Sequence, residues 1–166
     1  VVSLPSDYRL RLGSPLDRAL LLKFMQRTYA ERAPKGSFAH LAQTVDQYLC
    51  RETPLWWVDQ TGNETKPAGL PRLTAAFPTI ACLWLGTAID QLTGDRHTHV
   101  FLLYVAPAHR RQGIGTALMH HAEAYARSRG DRQIGLQVFQ TNQPALQLYQ
   151  QLGFATQSLW MVKPLT

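Results

Sequence analysis

The sequence predicts an α/β fold: a central mixed, mostly antiparallel sheet with helices on both faces. Three observations lead there. Apolar spacing switches repeatedly between strand and helix periods along the chain. Glycine, proline and capping residues punctuate the switches. The composition, 45% hydrophobic and 17% charged over 166 residues, suffices for one core without disulfide or metal staples, so a single domain over residues 1–166 is expected.

Tyr8-Arg9-Leu10-Arg11-Leu12 alternates apolar and basic side chains, as a strand with one buried face does. Ser14 then caps a helix with Pro15 at its first position, Asp17 at the capping-box offset, and Leu16, Leu20 and Phe24 at helical spacing. A second helix follows Ser37, with Phe38, Leu41, Val45, Tyr48 and Leu49 on one stripe. Leu55-Trp56-Trp57-Val58 reads as a short buried strand, and residues 61–79 as a long loop whose role is open.

Residues 80–90 and 99–105 pair as a hairpin, because Leu92-Thr93-Gly94-Asp95 supplies the turn. After Val105 a glycine-bearing turn enters a helix with Ile114, Leu118, Ala122 and Tyr125 buried, ending near Gly130. A buried strand carries Ile134, Leu136 and Val138 on one face and Gly135 and Gln137 on the other. Pro144 opens a last helix with Ala145, Leu148, Tyr149 and Leu152 on one side, Gly153 ends it, and a final strand covers residues 154–162.

Composition narrows the function classes. Seventeen Lys and Arg against eleven Asp and Glu leave a net charge of +6, which suits an anionic ligand, but the basic residues are scattered apart from Arg110-Arg111. The four tryptophans sit in strand-like apolar runs rather than among basic residues, so no nucleic-acid partner is expected. Cys50 and Cys82 lie far apart without zinc spacing, giving no metal site, no disulfide framework and a reduced, cytoplasmic setting. The start lacks a secretory signal, and the richest apolar stretch is too short and interrupted to span a membrane.

The most informative segment runs Val105-Ala106-Pro107-Ala108-His109-Arg110-Arg111-Gln112-Gly113-Ile114-Gly115-Thr116, a strand passing through glycines directly into a helix. The first N–H groups of a helix lack internal acceptors and stand at its positive end, so a pyrophosphate there accepts several hydrogen bonds. Gly113 and Gly115 remove side chains that would hold phosphates off the backbone, and Arg110 or Arg111 can add charge. The Gly-Lys-Ser/Thr of a Walker loop is missing, as is the third glycine of a dinucleotide fingerprint.

Val105-x-Pro107-x-x-Arg110-x-x-Gly113-x-Gly115 resembles the coenzyme A motif of the GNAT acetyltransferases. A second motif, Asn142-x-x-Ala145-x-x-Leu148-Tyr149-x-x-x-Gly153-Phe154, is similar to that family's following segment, in the same order and spacing; the clear resemblance covers residues 100–154. It implies a GNAT-like fold and acetyl-coenzyme A as the acyl donor. It also implies that the backbone of Leu103, Tyr104 and Val105 pairs with the pantetheine arm in a cleft between the strands ending at Val105 and Phe139. N–H groups of Arg111, Gln112, Gly113, Ile114, Gly115 and Thr116 match the positions that hold the pyrophosphate. Asn142 matches a residue fixing the pantetheine end, and its alternative role as a helix cap is compatible.

The implied chemistry is direct attack of a neutral primary amine, on a small molecule or peptide, on the thioester carbonyl, with no acyl-enzyme. Backbone N–H at the strand ending at Val105 then stabilises developing negative charge, and Tyr149 matches the tyrosine that protonates the departing thiolate. Packing is the alternative role for Tyr149, which lies on its helix's apolar stripe. Relatives that acetylate protein N-termini often carry a glutamate where this chain has Gln137, which cannot accept a proton, so the base is open. His97 and His99 titrate in the useful range, Asp90 and Glu31 are weaker candidates, and water is the remaining acceptor. The competing reading is a non-catalytic acyl-coenzyme A binding module, and a homodimer is open by family analogy.

Overall fold

The computed structural model describes residues 3–61 and 77–165. The alternating segment forms β1 (Tyr8–Leu12). The expected cap follows it: Ser14 Oγ accepts from the Leu16 N–H at 3.2 Å, and the Asp17 carboxylate accepts from the Ser14 N–H at 2.8 Å. The turn Pro15–Asp17 is 3-10 rather than α-helical, and α1 is Arg18–Ala30. That tighter turn leaves Leu16 94% exposed, so the apolar stripe expected to begin there is carried instead by Leu20, Leu21, Phe24 and Met25. α2 (His40–Tyr48) buries Leu41 and Val45.

β2 (Leu55–Gln60), β3 (Thr79–Ile89), β4 (Arg96–Val105) and β5 (Ile134–Leu136) complete a five-stranded sheet in the order β1-β2-β3-β4-β5. Neighbours are antiparallel except β4 and β5, which run parallel. The hairpin turn between β3 and β4 is held by Asp90, whose carboxylate accepts from the Leu92 and Thr93 N–H groups. α3 (Ile114–Ser128) and α4 (Gln143–Gln151) follow the sheet strands they flank.

Helices cover both faces, as expected. α1 and α2 pack on Trp57, Cys82, Trp84, Leu102 and Tyr104, while Ile114, Leu118, Met119 and Ala122 of α3 pack on Val58, Leu83, Leu85 and Val100. Trp57 and Trp84 are fully buried, yet each Nε1 lacks a hydrogen-bond partner among the described residues. Leaving such a donor dry costs about 1–3 kcal/mol. Burying an indole removes roughly 200 Å² from water, worth about 5 kcal/mol, so burial wins.

The structure corrects three expectations. β5 stops at Leu136 and is a half-buried edge strand rather than a buried one; Val138 and Phe139 lie beyond it, and Phe139 is exposed. No strand forms over residues 154–162, where Leu159, Trp160, Met161 and Val162 are exposed. An apolar run becomes a strand only against a partner, and the free edge of β5 is only three residues long. Most of the predicted loop at 61–79 lies outside the described residues, and its end is corrected because Thr79 already belongs to β3.

Candidate active site

Two strands joined by three residue pairs must part where the pairing ends. β4 and β5 meet through Thr98–Ile134, His99–Gly135 and Val100–Leu136. Beyond Val100, β4 continues to Val105 paired with β3 alone, and the chain after Leu136 diverges. The opening between them starts lower on the sheet than the strand ends at Val105 and Phe139 suggested. Phe101, Leu102 and Leu103 line one side, Gln137, Phe139, Asn142 and Tyr149 the other, and Thr28 and Tyr29 of α1 with Arg32 in the turn after it close a third.

Strand alternation fixes which main-chain groups face this opening. The Ala106 N–H donates to Ile80 O at 2.8 Å across the hairpin, so Tyr104 turns its main-chain groups toward β3 and Leu103 and Val105 turn theirs away from it. Of the three residues expected to offer backbone to an extended ligand, Leu103 and Val105 thus turn their main-chain groups toward the opening, and Tyr104 packs its ring on the α1 face. The Val105 carbonyl is already taken by Arg110 Nε at 2.8 Å.

Past Val105, a 3-10 turn (Pro107–His109) leads to Arg111 at φ 63° and Gly113 at φ 80°. Arg111 is the one non-glycine with positive φ among the described residues, a conformation costing about 1–2 kcal/mol that the surrounding turn must sustain. Left-handed residues in such a turn gather successive N–H groups into an anion-binding concavity. Among the described residues, no acceptor takes the N–H groups of Arg111, Gln112, Gly113, Ile114, Gly115 or Thr116; the first bond is Ala117 N–H to Gly113 O at 2.9 Å. No side chain caps α3, so about half a positive charge stands bare at its start. Nothing lies within 4 Å of where a Gly113 Cβ would stand, whereas a Gly115 Cβ would come within 3.3 Å of Leu148 Cδ2. Gly113 thus keeps the concavity open, and Gly115 makes room for α4.

The two arginines divide their work. Arg110 Nη2 donates to Glu31 Oε1 at 2.6 Å, and its guanidinium lies over the Tyr104 ring. Arg110 is therefore a strut between the turn and the C-terminal end of α1. Arg111 is exposed and unpaired among the described residues, which leaves it as the free cation of the turn.

Asn142 occupies the N-cap position of α4 but makes no side-chain cap bond, so its amide is available to the opening. Tyr149 packs against Phe154 at 5.7 Å between ring centroids, and burial pushes its phenol up to about 12. The hydroxyl stays protonated across the physiological range and is a donor.

The remaining candidates separate clearly. Gln137 is exposed. Hydrogen bonds from Gln133, Thr93 and Leu92 hold Asp90 below the usual carboxylate range, so that it serves the hairpin turn. Glu31 is engaged by Arg110. His121 packs edge-on to Trp56 at 4.7 Å, away from the opening. Burial pushes the Cys82 thiol up, and Cys50 is exposed; both are free. No group of three or more His, Cys, Asp or Glu among the described residues could hold a metal ion. His97 is buried and His99 half-buried, at the closed end of the opening. Burial and, next, the neighbouring His97 lower the His99 pKa below its ordinary value. Sequence reading missed Tyr8, whose hydroxyl reaches the glycine-bearing turn from β1 through partners more than a hundred residues away; no local signal marks it.

Comparison with known proteins agrees with this geometry. A family profile described as "Acetyltransferase (GNAT) family" matches residues 21–154. Streptothricin acetyltransferase of Streptomyces lavendulae is 49% identical over 51 residues, 31% of this chain and 27% of that protein. Mycothiol acetyltransferase of Thermobispora bispora is 29% identical over 153 residues, 91% of this chain and 48% of that protein. The chain thus spans less than half the length of these curated relatives. A solved structure described as a predicted acetyltransferase with acetyl-CoA from Clostridium acetobutylicum superposes with a TM-score of 0.70 at 16% identity, covering 95% of this chain and 96% of that one; this likeness is one of fold. No helix among the described residues is long and apolar enough to cross a membrane.

Proposed function

The chain belongs to the GNAT acetyltransferase family, and from that premise we propose that it moves an acetyl group from acetyl-coenzyme A to a primary amine, both bound together, without an acyl-enzyme. The observation that carries this reading is the continuity of three features: six N–H groups from Arg111 to Thr116 without acceptors among the described residues, the outward main-chain groups of Leu103 with the Val105 N–H on β4, and a half-buried phenol, Tyr149, beside the same opening. Together they fit an anionic head, an extended amide-bearing arm and a reacting end. When bound, acetyl-coenzyme A supplies the thioester carbonyl that the amine attacks.

The chain's own residues do the rest. The turn holds the diphosphate by backbone donation and Arg111 adds charge. The β4 edge lays the arm along the sheet as an added strand. Asn142 holds the arm's far end, and Tyr149 Oη donates its proton to the leaving sulfur. Orientation supplies most of the acceleration, so Cys50 and Cys82 have no covalent role. Relatives named for streptothricin and for mycothiol differ in acceptor, so the acceptor is kept at the level of a small-molecule or peptide amine. Two free cysteines suit a reducing, cytoplasmic setting.

One observation favours a second reading, an acyl-coenzyme A binding module without turnover: the neutral, exposed Gln137 where a carboxylate base is expected. Release of free thiol from acetyl-coenzyme A, measured with a short peptide, a polyamine and an aminoglycoside as acceptors, separates the two. Amine-dependent release supports transfer. Tight cofactor binding without release from any of the three supports the binding module.

A further inference from the structure

A row of three rings lies along one face of β4 and ends at the opening. His97 and His99 stand 6.4 Å apart between centroids, and His99 and Phe101 stand 5.8 Å apart. The register between β3 and β4 shifts opposite Phe101, so that Phe101 and Leu102 both pack toward the α1–α2 face. That bulge ties the histidine row to the wall of the opening, where Phe101 is a lining residue.

Gly135 of β5 lies beside His99 in the parallel pairing. Two ring nitrogens converge over it: a Cβ at this position would stand 2.9 Å from His97 Nε2 and 3.5 Å from His99 Nδ1. Glycine is required for that approach. The His97 tautomer is set from behind. Gln133 Nε2 lies 3.4 Å from His97 Nδ1 and donates to Asp90 Oδ2 at 2.8 Å, so His97 Nδ1 is an acceptor and its proton sits on Nε2, over Gly135. Among the described residues, the charged group connected to the pair is Asp90, reached through Gln133. From the helical side, the ring of Tyr48 packs on Phe101.

We propose that His99 is the general base of the acetyl transfer, taking the amine's proton through a water held over Gly135, with His97 as the positioning residue that donates to that water. The inference rests on the transferase reading. As the amine nitrogen bonds to the carbonyl carbon and the C–S bond breaks, one proton passes from nitrogen through the water to His99 Nδ1, and Tyr149 Oη gives one to sulfur. His99 then returns its proton to solvent and Tyr149 recovers its own from solvent, so the net products are the amide and the free thiol. This arrangement supplies the proton acceptor that Gln137 does not, from the neighbouring strand. Burial keeps His99 neutral to lower pH than an ordinary histidine, as a base acting at neutral pH requires.

The test uses the full chain, acetyl-coenzyme A and the same three acceptors, with kcat/KM for the acceptor followed against pH and cofactor binding measured in parallel. The wild type is expected to lose activity on an acid limb below the ordinary histidine range. His99→Gln is expected to drop kcat/KM on the order of 100-fold, to abolish that limb, to keep cofactor affinity, and to regain activity with added imidazole. His97→Gln is expected to move the limb to higher pH, since His97 is one of the groups holding the His99 pKa down. Gly135→Ala, which keeps both imidazoles but crowds the space between them, is expected to lower kcat with little change in cofactor affinity. An active wild type whose limb survives in His99→Gln overturns this assignment and leaves the transferase standing. A wild type that binds the cofactor and turns over none of the acceptors overturns the transferase reading, and the base with it.

Discussion

The Tyr8 hydroxyl donates to Gln112 Oε1 at 2.7 Å and lies 2.9 Å from His109 Nδ1, fastening the first strand to the turn whose N–H groups from Arg111 to Thr116 lack acceptors among the described residues. One hydroxyl hydrogen serves Gln112, so His109 Nδ1 donates to the oxygen. The contact braces both ends of the strained segment around Arg111. Tyr8→Phe keeps the ring packed on His109 and removes this brace alone. A hydrogen bond of this kind contributes about 1 kcal/mol, so the acetyl-coenzyme A dissociation constant is expected to rise roughly fivefold with kcat unchanged. Calorimetric titration beside steady-state kinetics checks it; a fall in kcat at constant affinity would place Tyr8 elsewhere in the mechanism.

Tyr149→Phe separates chemistry from packing. The ring and its contact with Phe154 remain, while the proton donor is lost. Turnover is expected to fall on the order of 100-fold, with cofactor affinity nearly unchanged. Because burial pushes the phenol up to about 12, the wild type should show no basic limb from this group anywhere in the physiological range. Equal turnover by the variant would reduce Tyr149 to a packing residue.

Local signals in the sequence were enough for most of the scaffold. The Ser14–Asp17 box, the turn at Gly94 and the glycines of the phosphate turn each act within a few residues, and each appears where its chemistry predicts. What failed depended on distant partners. The expected strand at 154–162 had apolar residues but needed an edge to pair with, and sequence alone does not show that β5 is three residues long. Nor does the sequence show that Arg110 pairs with Glu31, 79 residues away. His97 and His99 were legible as titratable residues, but their convergence over Gly135 is a property of the parallel pairing.

Stability should weaken on mild acidification through His121. Burial lowers its pKa in the fold, whereas in the unfolded chain it titrates near 6.5. Below that value the unfolded chain takes up a proton that the folded site resists, so this contribution is complete above about pH 6.5 and is lost as pH falls. Half-buried His99 acts in the same direction. His121→Leu keeps an apolar contact with Trp56 and is expected to narrow the difference in Tm between about pH 7.5 and about pH 5.5. An unchanged difference would assign the acid sensitivity to other groups.

Gly86 tests how tightly the wall of the opening is built. A Cβ there would stand 2.1 Å from Phe101 Cε2 and 2.2 Å from its Cζ, far inside contact distance. The ring has little room to swing, since Trp84, Tyr48 and His99 pack around it with centroids at 5.0, 5.6 and 5.8 Å. Gly86→Ala must therefore shift Phe101 or the hairpin, at a cost of about 1–3 kcal/mol, and because Phe101 lines the opening turnover should fall as well. Phe101→Leu in the same chain relieves the clash, so the two substitutions together should destabilise less than their sum. Urea unfolding midpoints of the single and double variants measure that coupling. Strict additivity would mean the ring is free to move and the wall of the opening is soft.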